Sequence, residues 1–215
     1  MRKLLFIPIV CMAIGAWAAG AAAPGLPDLA KGKQTAATVC VGCHGPDGNG
    51  TAAGTGPIYP KLAGQHSSYL LKQLRNFKAA EGAVERRANA IMNGMVAALS
   101  DEDLRNVAAF YASQTLKPEV ARNRQTIELG RKLWRTGDAA RGVPACAGCH
   151  GPAGAGIPAQ FPRLSGQFAD YSEAQLKAFR TGERANDPNS MMRVVAARLM
   201  DPEIKALADY AAGLR

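Results

Sequence analysis

The sequence predicts an all-α protein made of two tandem copies of one small domain, and three observations predict it. Apolar residues recur at helical spacing wherever the pattern is clear, no convincing alternating strand appears, and the two halves of the chain align with each other. The string Cys40-Val41-Gly42-Cys43-His44 matches Cys146-Ala147-Gly148-Cys149-His150 at a displacement of 106, followed by Gly45-Pro46 against Gly151-Pro152. Tyr59-Pro60-Lys61-Leu62, Gly64-Gln65, Tyr69, Gln73-Leu74 and Phe77-Lys78 match Phe161-Pro162-Arg163-Leu164, Gly166-Gln167, Tyr171, Gln175-Leu176 and Phe179-Arg180 at 102. Leu99, Asp101, Leu104 and Phe110 match Leu199, Asp201, Ile204 and Tyr210 at 100. The first half therefore carries four extra residues, in the Gly/Ala/Thr-rich loop Gly50 to Gly56, where insertions are tolerated.

Each element follows in chain order. Met1-Arg2-Lys3 is a short basic start, Leu4 to Trp17 an apolar run, and Ala16-Trp17-Ala18 a small-x-small cleavage pattern, so residues 1–18 read as a secretory signal, with the cut as late as about residue 23. The run is too short for a spanning helix of about 20 residues. A helix leads into each Cys-x-x-Cys-His string, from Leu29 and from Ile127, and a middle helix carries Leu70, Leu74 and Phe77. Ser100 caps a helix with Leu104, Val107, Ala108 and Tyr111 at i, i+3, i+4 and i+7. In the second half Asp201 and Pro202 are expected as cap and first position, before Ile204, Leu207, Ala208 and Ala211. Leu116-Lys117-Pro118-Glu119 interrupts the helical pattern as a linker. The expected division is one domain over residues 24–116, a linker over 117–123 and a second domain over 124–215.

The composition is that of a folded protein: of 215 residues, 47% are hydrophobic and 20% charged, with a formal net charge of +9. Only 6% are aromatic, which is little bulk for two cores. Domains of about 90 residues bury only about 60–65% of their chain surface and are marginal on protein alone. Cleavage of the leader removes Arg2, Lys3 and Cys11, leaving a charge of +7 and four cysteines.

Exported proteins with four cysteines usually form disulfides, but all four belong to Cys-x-x-Cys-His strings, the attachment pattern of c-type haem. One such string arises by chance with odds on the order of one in a thousand, so two make a strong signal. Two thiols about a helical turn apart add to the vinyl groups of one porphyrin, and the adjacent imidazole lies over the iron. A thioredoxin-like pair would want one Cys-x-x-Cys on a βαβ pattern, and a zinc site joining both motifs would want them about 15–20 residues apart. The haem iron ligands on one side are then His44 and His150, with Cys40, Cys43, Cys146 and Cys149 fixing the rings.

Methionine is the leading candidate for the sixth ligand, because His66 is the one spare histidine and its counterpart is Phe168; His66 reads as a surface or capping residue. The repeat selects between two methionine pairs. At a displacement of 100, Met92 meets Met192, whereas Met95 meets Val195 and Met191 meets Ile91. Met92 and Met192 are the ligand candidates, and Met95 and Met191 read as core filler.

These residues resemble the class I cytochrome c domain: Cys-x-x-Cys-His near the start of a helical unit, then Pro-x-Leu, then a methionine before a terminal helix. Two in tandem, with Lys-Leu-Ala-Gly-Gln, Tyr-Leu-Leu-Lys-Gln-Leu and Met-Asn-Gly-Met in sequence, closely resemble the dihaem cytochrome c4 family over essentially the whole mature chain. The resemblance implies two His/Met haem c groups in domains related by a pseudo-twofold axis, and a periplasmic electron carrier, often associated with the inner membrane, delivering electrons toward a terminal oxidase. It also implies that the backbone carbonyls of Pro60 and Pro162 hold the histidines, with Pro57 competing for the first role. Gly32 and Gly130 would let the first helix of each domain cross the last, near Phe110 and Tyr210. Arg87 and Arg184, which share an Arg-Ala-Asn string, meet haem propionates or are solvated.

Four propionates would bring the mature charge to about +3, which fits an acidic docking face on a redox partner. Nucleic acid is a poor guess without a clustered basic stripe. Membrane or soluble redox proteins remain as partners: a terminal oxidase, a quinol-oxidising complex or a dehydrogenase. The class is an electron shuttle, with two alternatives. One is the electron-transfer subunit of a larger dehydrogenase, such as a flavocytochrome oxidising sulfide. The other is a dihaem peroxidase, which would need one five-coordinate iron and is disfavoured by a methionine in both halves.

Overall fold

The computed structural model describes residues 25–51 and 57–215. The secretory reading of residues 1–18 lies outside them, as does most of the four-residue loop insertion. Ten α-helices are described, in two sets of five: α1 (Leu29–Thr35), α2 (Val41–His44), α3 (Ser67–Lys78), α4 (Ala90–Val96) and α5 (Asp101–Ala112), then α6 (Ile127–Thr136), α7 (Ala147–His150), α8 (Ala169–Thr181), α9 (Met191–Ala196) and α10 (Asp201–Ala212). Among the described residues the only β pairing is isolated bridges.

In each domain the first helix crosses the last, and a glycine sets the crossing. A Cβ on Gly32 would lie 2.2 Å from the Asn106 carbonyl oxygen of α5, and one on Gly130 would lie 2.4 Å from that of Ala206 in α10. No side chain fits between the backbones. The apolar stripes read from the sequence close the cores around these crossings. Leu70, Val107, Ala108, Phe110 and Tyr111 cluster in domain 1, and Leu133, Trp134, Val143, Leu199, Ile204, Leu207 and Ala211 in domain 2.

The caps agree with the sequence in one domain and differ in the other. Ser100 Oγ accepts from Asp103 N at 3.1 Å while Asp103 Oδ2 accepts from Ser100 N at 2.9 Å, a reciprocal capping box. In domain 2 the cap is Met200, not Asp201, so Asp201 and Pro202 occupy the first helical turn. Glu203, at the third helical position, supplies the returning half of a capping box, its Oε2 accepting from Met200 N at 2.9 Å and so fixing Met200 as the cap residue.

The helices entering the two Cys-x-x-Cys-His strings also differ. In domain 1, α1 continues through a π-helical turn, Ala36–Cys40, straight into α2. In domain 2, α6 stops at Thr136 because Gly137 takes φ +65°, and an eight-residue excursion, 137–144, closes on itself before Cys146. Val143 of that excursion is buried in the core. Arg141 is paired with Asp138 at 2.8 Å and with Glu203.

The domains meet across a pseudo-twofold axis through equivalent residues. Gln167 Oε1 accepts from Lys61 N and its Nε2 donates to Lys61 O, both at 2.9 Å. Gln65 does the same to the amide and carbonyl of Arg163, both at 2.9 Å. Each carboxamide thus closes a two-bond clasp on the other domain's backbone. The Lys61 ammonium is buried over the Phe168 ring, 4.5 Å from its centroid, and pairs with Glu119 of the linker at 3.1 Å. His66 precedes α3 at the cap position, but its ring bonds across the interface, with Nε2 2.9 Å from Ala155 O.

Candidate functional site

One helical turn in each domain brings the motif together. His150 N donates to Cys146 O at 2.9 Å, which folds the second string over itself. The chain then reverses through glycine turns: Gly50 N donates to His44 O at 2.9 Å and Gly156 N to His150 O at 2.8 Å. This reversal brings a proline carbonyl to each imidazole. His44 Nδ1 lies 2.9 Å from Pro60 O, and His150 Nδ1 lies 3.0 Å from Pro162 O. Pro60, rather than Pro57, therefore meets His44, because the loop insertion lies before the proline and leaves the Pro-x-Leu segment in register. The ring of Tyr59 stands edge-on to His44, and that of Phe161 edge-on to His150, at centroid distances of 6.3 and 6.1 Å.

A carbonyl oxygen can only accept, so each Nδ1 carries the proton and each Nε2 presents a lone pair. Burial pushes both imidazoles below their ordinary pKa, against the opposing pull of the proline carbonyl, and keeps them neutral at pH 7. His150 Nε2 is buried with no hydrogen-bond partner. A buried lone pair without a donor is costly, and an axial metal bond satisfies it. Among the described residues Cys40, Cys43, Cys146 and Cys149 pair with no other cysteine; the first three are half-buried and Cys149 is exposed. Burial raises the Cys40 thiol and lifts Cys146 to about 11. Among the described residues no group of three or more His, Cys, Asp or Glu converges to hold a metal on protein ligands alone. Paired thiols beside a neutral imidazole with a free Nε2 fit a covalently attached haem.

Met92 and Met192 are half-buried on α4 and α9, Met92 against the Phe77, Val96 and Leu104 cluster. Met95 and Met191 face solvent, at 41% and 38% exposure, so neither is core filler. Both lie on short helices whose other face meets the core.

Arg87 and Arg184 are not solvated; they sit at the domain interface. Arg87 Nη2 donates to Tyr171 Oη at 3.0 Å and Gln175 Oε1 at 2.6 Å. Arg184 Nη2 donates to Tyr69 Oη at 2.9 Å and Gln73 Oε1 at 3.1 Å. These hydrogen-bond partners are all neutral. Burial and the neighbouring Arg87 charge lower the Arg184 pKa; burial alone would raise Tyr171, but the two guanidiniums overcome it and lower that phenol. Sequence reasoning missed that Gln73 and Gln175 complete this cluster, although both recur in the repeat.

The protein family described as "Cytochrome c" matches the chain twice, over residues 29–115 and 127–214. Cytochrome c4 of Thiocapsa roseopersicina is 49% identical over 196 residues, covering 90% of this chain and 96% of the relative. The chain belongs to the cytochrome c4 family. The crystal structure of reduced recombinant cytochrome c4 from Pseudomonas stutzeri superposes with a TM-score of 0.81 at 43% identity, covering 88% of this chain and all of that one. A thiosulfate dehydrogenase electron acceptor of Stutzerimonas stutzeri is 41% identical, covering 85% of this chain and 82% of the relative. As a cytochrome c4 the protein is a dihaem electron-transfer cytochrome, with two covalently bound haem c groups and no substrate chemistry of its own. No helix among the described residues is long and apolar enough to cross a membrane.

Proposed function

We propose that Cys40 and Cys43 fix one haem and Cys146 and Cys149 the other, with His44 and Met92 as axial ligands in domain 1 and His150 and Met192 in domain 2. The domains then run over residues 24–116 and 124–215, joined by 117–123, after a leader removed on export to the periplasm. Haem iron with two strong axial ligands supplies one-electron exchange between ferrous and ferric states, and thioether ligation raises its potential over bis-histidine. The chain's own residues prepare that exchange. The proline carbonyls hold each imidazole in the Nδ1-protonated tautomer, which leaves its Nε2 lone pair available to hold a metal. Arg87 and Arg184, whose hydrogen-bond partners are all neutral, are two cations that would supply counter-charge to haem carboxylates. The buried, partnerless Nε2 of His150 is the observation that carries this reading.

The protein shuttles single electrons between respiratory partners, and a terminal oxidase is the acceptor this reading favours. The likeness to a thiosulfate dehydrogenase electron acceptor favours a second reading of its donor side, in which electrons arrive from a periplasmic dehydrogenase. A redox titration followed in the visible and near infrared tests the ligation. Two haems per chain, two potentials and a methionine-to-iron band from each are expected; a single haem, or rapid carbon monoxide binding at one reduced iron, overturns it. Rates with an oxidase and with a thiosulfate-oxidising dehydrogenase, measured against ionic strength, separate the partners.

A further inference from the structure

The Arg-Ala-Asn string precedes the methionine helix in both domains, at 87–89 and 184–186. Its arginines are used alike, and even their amides match: Arg87 N donates to Asn76 O at 2.9 Å and Arg184 N to Ala178 O at 3.0 Å. The asparagines part company. Asn89 closes on its own domain, its Oδ1 accepting from Met92 N at 2.9 Å and its N donating to Asn93 Oδ1 at 2.8 Å. Asn93 in turn donates to Arg87 O at 3.1 Å. The asparagine bonds beside Met92 thus stay within domain 1, while Arg87, whose carbonyl they reach, is held by Tyr171 and Gln175 of domain 2.

Asn186 leaves its domain. Its Nδ2 donates to Asn76 Oδ1 at 2.8 Å and Gln73 Oε1 at 3.0 Å, and its carbonyl accepts from Lys72 Nζ at 3.2 Å, all three on α3. The neighbouring Asp187 turns the other way. Its carboxylate accepts from Arg193 N at 3.0 Å and Arg193 Nε at 2.8 Å, and its carbonyl from Ser190 N at 3.3 Å. Asn186, Asp187, Asn76 and Gln73 are all buried. Between the two anchors, Asn189 and Ser190 hold φ of 53° and 56°, a left-handed pair that side-chain-bearing residues adopt only when their surroundings impose it. Met192 lies two residues beyond that pair and one before Arg193.

We propose that Asn186, Asp187 and Arg193 are positioning residues through which α3 of domain 1 sets how Met192 meets the iron of domain 2. The asparagine link runs one way, since the asparagine before Met92 is satisfied at home. It rests on Met192 being the axial ligand. The consequence is that domain docking completes one of the two metal sites, so the haems differ in potential although their ligands are the same.

The test uses the full-length haem-loaded protein, reading the two axial methionine methyl signals by proton NMR of the reduced form and the two midpoint potentials. Met192→Ala assigns the domain 2 signal; if both signals survive it, the ligand reading itself fails, and the relay with it. With that assignment made, Asn76→Ala should shift or broaden the Met192 methyl and lower the domain 2 potential, leaving the Met92 methyl and the domain 1 potential in place. Asn89→Ala should do the reverse. Arg193→Lys, which keeps the charge and the backbone bond but loses Nε, should act as a weaker Asn76→Ala and covers the case in which Asn76→Ala fails to fold. Wild-type signals and potentials in both folded variants, or equal movement of the two haems, would overturn the proposal.

Discussion

Gly130→Ala should loosen domain 2 by an amount that can be worked from the helix crossing. The new Cβ would sit 2.4 Å from Ala206 O and 2.6 Å from Tyr210 Cβ, where about 3.4 Å is the least that ordinary contact allows. Both obstacles belong to the body of α10, so no flexible tip can swing aside and the helices must separate by about 1 Å. Overpacking of this kind costs about 1–3 kcal/mol, and a backbone obstacle puts it near the top of that range. Alanine returns about 1 kcal/mol as the better helix former. The net is a loss of about 2 kcal/mol, or roughly 8–16 °C in the midpoint for a domain of this size. Gly94→Ala is the internal control, because a Cβ there meets no atom of the described residues within 4 Å, and a gain of up to about 1 kcal/mol is expected. Far-UV circular dichroism melts of the haem-loaded protein read both. A Gly130→Ala midpoint equal to or above that of the parent would show that the crossing is not set by backbone contact.

Gln167→Ala should cost about 2–4 kcal/mol in urea titrations, since it strands the buried amide and carbonyl of Lys61 together; an unchanged midpoint would mean that the clasp carries no energy. Ser100→Ala removes one half of the α5 capping box and should cost about 1 kcal/mol by the same assay. Glu203 is held below its ordinary pKa of 4.5 by hydrogen bonding to Arg141 and to Met200 N. Because the folded value is the lower one, its stabilisation is complete above pH 4.5 and disappears as pH falls through that lower value. The margin of the parent over Glu203→Gln should therefore be flat near neutrality and shrink in acid, and a margin that grows in acid would contradict the pairing.

How much was legible follows from where the information lay. The Cys-x-x-Cys-His strings, the Ser100 cap and the α5 stripe are local chemistry, and they fold as their spacing says. The duplication itself separates Met92 and Met192 from their neighbours, but Met95 and Met191 are exposed rather than core filler, because only the other face of their short helices meets the core. Met200 as cap was hidden because it has no side-chain capping chemistry; the acceptor came from Glu203, three residues on. The 137–144 excursion is not in the sequence reading, which leads a helix from Ile127 into the Cys146 string; Gly137 ends the helix, and burial of Val143 holds the excursion in the core. Gln65 and Gln167 were visible as a repeated Gly-Gln, but a glutamine does not announce that its partner is a backbone across an interface. Arg184 reads as a surface residue by type, and only the converging Tyr69, Gln73 and Gln175 show otherwise.

The paired glutamine clasp has a consequence for how such a chain assembles. Each glutamine offers the other half the same donor and acceptor that its counterpart offers in return, so the clasp is matched to itself, while the unrepeated contacts of Asn186 with α3 and of His66 with Ala155 distinguish the two halves. The segment between Ala112 and Ile127 adds a tether: it keeps the sibling at an effective concentration on the order of millimolar, far above any stray copy. Pairing of unlike halves thus draws on the tether as well as on the unrepeated contacts, leaving the outward faces free to diverge without loss of assembly.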